Sequence, residues 1–245
     1  MLHVNYRNIR VFYLPHLEGG GLTFGQDYIK VVRRLFGKVD HICEFGAGPG
    51  FIGFSLLANG LCKRLTLIDI NPEAVRIARK TVAENGLKTE VRVYLSDGLS
   101  NVPESEKWDL VVSNPPHFDG KYRDYVEDVR VYDPKWEIHS RFYRDVPAHL
   151  KSGGSVLFYE NLYGARPSLW EKMIGKQKDL KYIKSFRSRR FGNMPRASDV
   201  TKYIKGEHGY MRKSSPQKLV VKTLLHASFL VYYPYYFVWS KKREK

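Results

Sequence analysis

Asn114-Pro115-Pro116-His117 comes just after the apolar run Leu110 to Val112, and upstream Glu44-Phe45-Gly46-Ala47-Gly48-Pro49-Gly50 follows an earlier apolar run. The first group suits chemistry at a planar nitrogen. Proline lacks an N–H and fixes φ, so Pro115 and Pro116 stiffen the turn and leave its carbonyls facing outward. The Asn114 amide oxygen and the Pro115 carbonyl can then accept both hydrogens of one NH2 group. That aims the nitrogen lone pair and favours positive charge developing on nitrogen during an in-line displacement. The ring of His117 or of Phe118 can stack on the planar group. A neutral His117 can also collect a proton, although a histidine beside a tight turn is more commonly an ordinary surface residue.

The glycine-rich turn fits two templates. Gly46-x-Gly48-x-Gly50 matches a loop that holds S-adenosylmethionine, and Gly48-x-Gly50-x-x-Gly53 matches a dinucleotide fingerprint. In both, Asp69 at the end of the next strand accepts from ribose hydroxyls. Glu44 discriminates between them. A pyrophosphate at the helix N-terminus would be repelled by a carboxylate just before the turn, whereas a sulfonium and an ammonium would be attracted. The candidate cofactor residues are therefore Glu44, Phe45, Gly46, Ala47, Gly48 and Gly50, with Asp69, Ile70 and Asn71 after the second strand. Asp97 and Gly98 after the third strand, together with Asn114 itself, complete the set. Asp97 can accept from the exocyclic amine of an adenine, and Asp-Gly is also simply a good turn.

These residues need a scaffold that brings strand ends together. Apolar runs at 41–45, 64–70, 90–94, 108–112 and 155–159 read as strands, the last introduced by a Ser152-Gly153-Gly154 turn. Helical spacing recurs at 51–59, and at 72–84, which Asn71 caps and Pro72 opens. Strands alternating with helices build an α/β fold, a mostly parallel sheet with helices on both faces, whose ligands bind beyond the carboxyl ends of the strands. A further helix over 167–174 and a sixth strand over 181–186 follow. Residues 187–217 read as a basic insertion or loop, and 219–239 as a closing strand or hairpin. Residues 1–40 form an N-terminal segment in which Gly19 to Gln26 is glycine-dense enough for a lid, and 41–245 form the main domain.

The formal charge of +16 is unevenly spread. Residues 1–150 hold 20 Lys/Arg against 19 Asp/Glu, and 151–245 hold 21 against 6. Lys172, Lys176, Lys178, Lys181, Lys184, Arg187, Arg189, Arg190, Arg196, Lys202 and Lys205 are the densest part, a footprint that suits an anionic partner such as RNA. A solvated surface balanced by the acidic 122–137 stretch is the alternative. Cys43 and Cys62 read as reduced core residues, and no Cys/His spacing suggests a metal. No signal-like stretch opens the sequence, and the 13 residues Ala227 to Trp239 are too few to span a bilayer, which points to a cytoplasmic protein. Membrane contact through the tail from Tyr235 to Lys245 is disfavoured against an ordinary closing strand.

On the paired Glu44–Gly50 and Asn114–His117 motifs, the chain resembles the class I S-adenosylmethionine-dependent methyltransferases with an Asn-Pro-Pro-aromatic loop. That group includes the release-factor glutamine, tRNA adenine-N6 and rRNA guanine-N2 methyltransferases. The resemblance spans roughly residues 25–160. It implies a Rossmann-like fold of seven strands, with the glycine loop, Asp69 and Asp97 on the cofactor and Asn114 and Pro115 on the target nitrogen. His117 departs from the usual Tyr, Phe or Trp, and a segment of about 40 residues before the first strand disfavours a release factor as substrate. The expected activity is methylation of an amino or amide nitrogen, in RNA or a ribonucleoprotein. The alternatives are the same chemistry on a small metabolite or peptide, and a binding module without turnover.

Overall fold

The computed structural model describes residues 1–19, 21–119, 130–188 and 235–244. Strands such as β6 carry apolar residues at consecutive positions, so both faces must be covered. Strands β3 (Val39–Phe45), β4 (Cys62–Asp69), β5 (Val91–Leu95), β6 (Trp108–Ser113) and β7 (Leu150–Asn161) run parallel. With β8 (Leu180–Arg187) and β9 (Tyr235–Lys242) they form one seven-stranded sheet in the order β5-β4-β3-β6-β7-β9-β8, in which β9 alone runs antiparallel. Ile42, Leu65, Val112 and Leu157 face one core, closed by α1 (Gly21–Leu35), α2 (Phe51–Ala58) and α3 (Pro72–Glu84). Their alternates Cys43, Ile68, Val111 and Phe158 face a second core under α4 (Glu137–Asp145) and α5 (Pro167–Gly175). Helix α3 starts as the sequence implies, with Asn71 accepting from the Glu73 amide at 2.9 Å and Pro72 in the first turn.

Two expectations are revised, and two further segments are defined more closely. The glycine-dense stretch is not a loop, because α1 begins at Gly21. Gly21 and Gly25 lie four apart on the face toward α2, where a Cβ at Gly21 would come within 3.0 Å of the Phe51 ring. Close packing against Phe51 requires the glycine at 21, whereas a Cβ at Gly25 would meet Ile52 at an ordinary 3.6 Å. The Ser152-Gly153-Gly154 turn is instead a bulge inside β7. The register jumps from Trp108–Leu150 to Leu110–Ser155, Gly153 takes φ +68°, and Gly154 lies against the Trp108 carbonyl. The N-terminal segment forms a hairpin of β1 (Leu2–Tyr6) and β2 (Ile9–Tyr13). It lies on α3, with the Phe12 amide donating to Thr81 Oγ1 at 3.0 Å. The aromatic tail is an inner strand: Tyr236, Phe237 and Val238 of β9 are buried between β7 and β8.

Cys43 and Cys62 are buried free thiols. Among the described residues no helix is long and apolar enough to cross a membrane. Apart from Arg187 and Ser188, the basic insertion expected over 187–217 lies outside the described residues, as do positions 219–234 of the expected closing strand. The chain leaves at Ser188 and returns at Tyr235 side by side, the Ser188 amide donating to the Tyr235 carbonyl at 3.0 Å.

The second core contains a buried charge cluster. His139 of α4 bonds Asp133 Oδ2 through Nδ1 at 2.6 Å and Glu160 Oε1 through Nε2 at 3.0 Å, and its ring stacks on Trp170 with centroids 4.4 Å apart. Burial by itself would lower its pKa, but Glu160 and Asp133 outweigh burial and push it up to about 9. Asp133 also accepts the Ile138 and His139 amides at the start of α4.

Two consequences are measurable. A Cβ at Gly53 of α2 would lie 2.7 Å from Leu65 and 2.8 Å from a Glu44 carboxylate oxygen. Gly53→Ala is therefore expected to cost about 1–3 kcal/mol in denaturant unfolding, and a neutral result contradicts the tight fit. His139, with its folded pKa raised, stabilises the fold fully below its unfolded value of about 6.5 and loses that contribution as pH rises through about 9. Unfolding free energy should drop by a few kcal/mol across that window, and the drop should disappear in His139→Gln.

Candidate active site

Strand order makes the site. β3 lies between β4 and β6, with Glu44 opposite Val112, so the loop after β3 and the loop after β6 leave the same sheet edge side by side. That is where the order reverses, from β3 outward to β5 in one direction and from β6 outward in the other. Two hydroxyls tie the loops together: Ser113 donates to the Phe45 carbonyl at 2.7 Å, and Tyr28 of α1 donates to the Ser113 carbonyl at 2.6 Å.

Glu44 does not line the open edge. Its side chain turns inward and accepts the amides of Gly53 at 2.6 Å and Ile52 at 3.3 Å, filling the N-terminus of α2. Burial, with a smaller push from Asp69, raises its carboxyl to about 8 against the opposing effect of those amides. Gly53, the third glycine of the dinucleotide template, is small so that this carboxylate can reach the helix. The amides that would bind a pyrophosphate are already occupied, which argues against a dinucleotide on structural grounds. Gly46, Gly48 and Gly50 all take positive φ (+61°, +52° and +85°). Ala47 is buried, its amide bonded to the Ile68 carbonyl at 2.9 Å, and the Phe45 ring packs in the second core against Phe142.

Asp69 sits under the loop. Oδ2 accepts the Gly48 amide at 2.6 Å and Oδ1 the Asn71 amide at 2.8 Å, while burial raises its pKa against these bonds. Each oxygen keeps a lone pair for a hydroxyl donor. Beside it Ile70 is 61% exposed and Leu95, at the end of β5, 43% exposed. They are two apolar side chains at neighbouring strand ends, suited to the faces of a flat ring. Asp97 lies further out, paired with Arg141 of α4 at 3.2 Å, and Gly98 turns beneath that guanidinium with φ +62°. Asn71 is spent on capping α3.

Asn114 is half-buried. Its Nδ2 donates to the Gly19 carbonyl at 3.0 Å, which fixes the amide so that Oδ1 is buried and has no partner among the described residues. Pro115 is buried and Pro116 half-buried. His117 is not on the surface: it is 7% exposed, with Nδ1 3.6 Å from Glu160 Oε2 and its ring edge-on to Tyr235. The His117 and Phe118 amides both donate to the Val131 carbonyl at 3.0 Å, and the Phe118 carbonyl accepts the Asp133 amide. A Cβ at Gly164 would overlap the His117 carbonyl. The loop is thus held at the Asn114 amide nitrogen and at the His117 and Phe118 backbone, and the Asn114 oxygen is left without a partner among the described residues. Sequence reasoning missed Gly19, Leu95, Glu160, His139 and Asp133. Of these only Leu95 had a local signal, being the apolar residue at a strand end.

The Methyltransferase small domain model matches residues 29–187. Among reviewed relatives, Ribosomal RNA small subunit methyltransferase C of Pseudomonas aeruginosa (strain LESB58) is 31% identical over 170 residues, 69% of this chain and 45% of that protein. The same protein of Actinobacillus pleuropneumoniae serotype 5b is 32% identical over 177 residues, 69% and 47%. The chain therefore spans about half the length of these relatives. Solved structures share the fold at low identity. The O-methyltransferase of a trans-AT polyketide multienzyme of Brevibacillus brevis, in complex with S-adenosyl-L-homocysteine, gives a TM-score of 0.55 at 14% identity over 89% of this chain and 71% of its own. The [4+2]-cyclase SpnF gives 0.56 at 15% over 89% and 80%. The architecture alone does not select a reaction, but the family model runs from α1 to the end of β8 and takes in the glycine loop, Asp69 and the Asn114 loop. The chain belongs to the methyltransferase small domain family.

Proposed function

We propose that this chain transfers a methyl group from S-adenosylmethionine to a planar amino nitrogen of RNA, with small-subunit ribosomal RNA the substrate class that its relatives' names suggest. The observation that carries the reading is the Asn114 oxygen, buried, unpaired and held in place by Gly19 at the edge where the glycine loop and Asp69 also lie. Bound S-adenosylmethionine supplies an electrophilic methyl on a sulfonium.

The residues present fit that group. Asp69 has lone pairs for ribose hydroxyls, Ile70 and Leu95 offer apolar faces for adenine, and the occupied α2 N-terminus favours a cation over a phosphate. Asp97, held by Arg141, is the acceptor for the adenine amine. Gly46 to Gly50 let the cofactor approach the backbone. Asn114 Oδ1 and the Pro115 carbonyl accept from the target NH2, so its lone pair is aimed and water is displaced from the nitrogen. Phe118 is the ring left to stack on the target, since the His117 ring is turned toward Glu160.

The acceptor class draws support from the exposed Lys172, Lys176, Lys178, Lys181, Lys184 and Arg187 on α5, its following turn and β8. The edge strand β8 runs toward the site, and the basic segment 189–234 leaves and rejoins the sheet there, Tyr235 lying beside His117.

Incubating the chain with labelled cofactor and either small-subunit rRNA or bulk small metabolites tests the reading. Label should enter RNA, and RNA affinity should fall steeply between about 50 and 200 mM salt. Label confined to small molecules, with no salt effect, would replace RNA as the substrate. Asn114→Ala should keep cofactor affinity within about twofold and lower transfer by on the order of 100-fold, while Asp69→Ala should weaken cofactor binding by about tenfold or more.

Glu44 makes a separate test of the cofactor's charge. Because its folded carboxyl titrates near 8, it is largely protonated at neutral pH, and a nearby cation favours its ionised form. Cofactor affinity should rise several-fold between pH 6.5 and 8, with protons released on binding in calorimetry, and Glu44→Gln should remove the difference. Proton uptake would exclude the cationic ligand.

A further inference from the structure

The strongest unassigned feature is the continuity between the buried charge cluster and the Asn114 loop. Asp133, His139 and Glu160 are each no more than 1% exposed, and their bonds run in series: Asp133 Oδ2 to His139 Nδ1, then His139 Nε2 to Glu160 Oε1. Glu160 Oε2 is left over, and 3.6 Å beyond it lies His117 Nδ1. Nδ1 is thus close to the carboxylate but just outside hydrogen-bond distance, and on the far side of the ring Nε2 is likewise buried with no hydrogen-bond partner among the described residues.

We propose that Glu160, locked by His139 and Asp133, is a positioning residue that holds His117 with its proton on Nδ1, so that Nε2 presents a lone pair to collect the proton released on methylation. This rests on the methyl-transfer reading above. A carboxylate facing Nδ1 stabilises a hydrogen there, and the other nitrogen then becomes the basic one. His139 is a cation between two carboxylates, so the trio carries one net negative formal charge. A proton arriving on His117 brings the formal charge of the four-residue chain to zero. The groups facing Glu160 are His139 from α4 and His117 from the loop, with the Tyr28, Tyr143 and Tyr236 hydroxyls of α1, α4 and β9 within electrostatic reach. Tyr235 and Phe118 complete the surroundings of His117.

The step balances. The nitrogen lone pair forms the new N–C bond, and the C–S bond breaks with its electrons staying on sulfur, which becomes a neutral thioether. One N–H proton passes to His117 Nε2 and later to water. Loops with Phe or Tyr in this position have no such acceptor, so the arrangement is a property of His117 and Glu160 together.

Two measurements decide it. In the full chain labelled with 15N-histidine, the neutral His117 ring should be chiefly the Nδ1–H tautomer, shifting toward Nε2–H in Glu160→Gln. A wild-type ring chiefly in the Nε2–H form overturns the proposal with no acceptor needed. In transfer to small-subunit rRNA, His117→Phe keeps the ring and loses both nitrogens, and should lower kcat about tenfold or more at unchanged cofactor affinity. Glu160→Gln should lower kcat similarly and should add nothing in the His117→Phe background. Wild-type kcat in His117→Phe, or an equal loss from Glu160→Gln in both backgrounds, sinks it. His117→Phe alone carries the kinetic test should Glu160→Gln fail to fold. Asn114→Ala separates the two levels: if it transfers normally the methyl-transfer reading fails, whereas an inactive Asn114→Ala beside a fully active His117→Phe removes only the proton acceptor.

Discussion

A carboxylate buried against the first turn of a helix organises this protein. Glu44 sits near the end of a central strand and takes the two free amides of α2 that would otherwise face the ligand. Gly53 has to lack a side chain to admit it, and Gly50 has to take positive φ so that the chain can turn from strand to helix around it. Burial makes that acid costly to ionise, and the amides at the positive end of the helix dipole offset only part of the cost. The result is a loop whose shape is held from beneath and whose preference is for positive charge. A glycine pattern that two cofactor classes share is thereby committed to one of them.

Around that anchor the topology supplies the second half of the site. Because β3 and β6 are neighbours although far apart in sequence, the glycine loop and the Asn114 loop share one edge. The rigidity of the second loop comes from many small restraints: amides on Val131, a glycine at 164 beneath His117, and Gly19 holding Asn114. Among the described residues of this loop the Asn114 amide oxygen and the two His117 ring nitrogens stay without hydrogen-bond partners, and an unsatisfied buried acceptor is where a substrate hydrogen belongs.

Much of this was legible from residues alone, and the reasons are local. Runs such as Leu110 to Val112 announce buried parallel strands, and Asn71-Pro72-Glu73 spells a helix start through chemistry completed within three residues. Misreadings arose where a residue answers to a distant partner. Gly21 and Gly25 look like a loop until α2 is placed against them, and Gly153-Gly154 looks like a turn until Trp108 is placed across the sheet. His117 looked exposed because Glu160 and Tyr235 come from β7 and β9. The chain Asp133–His139–Glu160 had no sequence signature, since its spacing is set by the packing of a helix on a sheet and not by periodicity. Glu44 was expected to face the ligand, and its side chain turns instead into the N-terminus of α2.

The side-by-side placement of Ser188 and Tyr235 has an evolutionary meaning. A segment whose two ends are already paired adds only a loop-closure term that grows with the logarithm of its length. Residues between them can be lengthened, shortened or exchanged without disturbing the register of β8 on β9 or the loops across the sheet. On the proposed function, what is recognised and what is done to it could then change separately, with the pairing of two strands keeping the sheet edge constant between them.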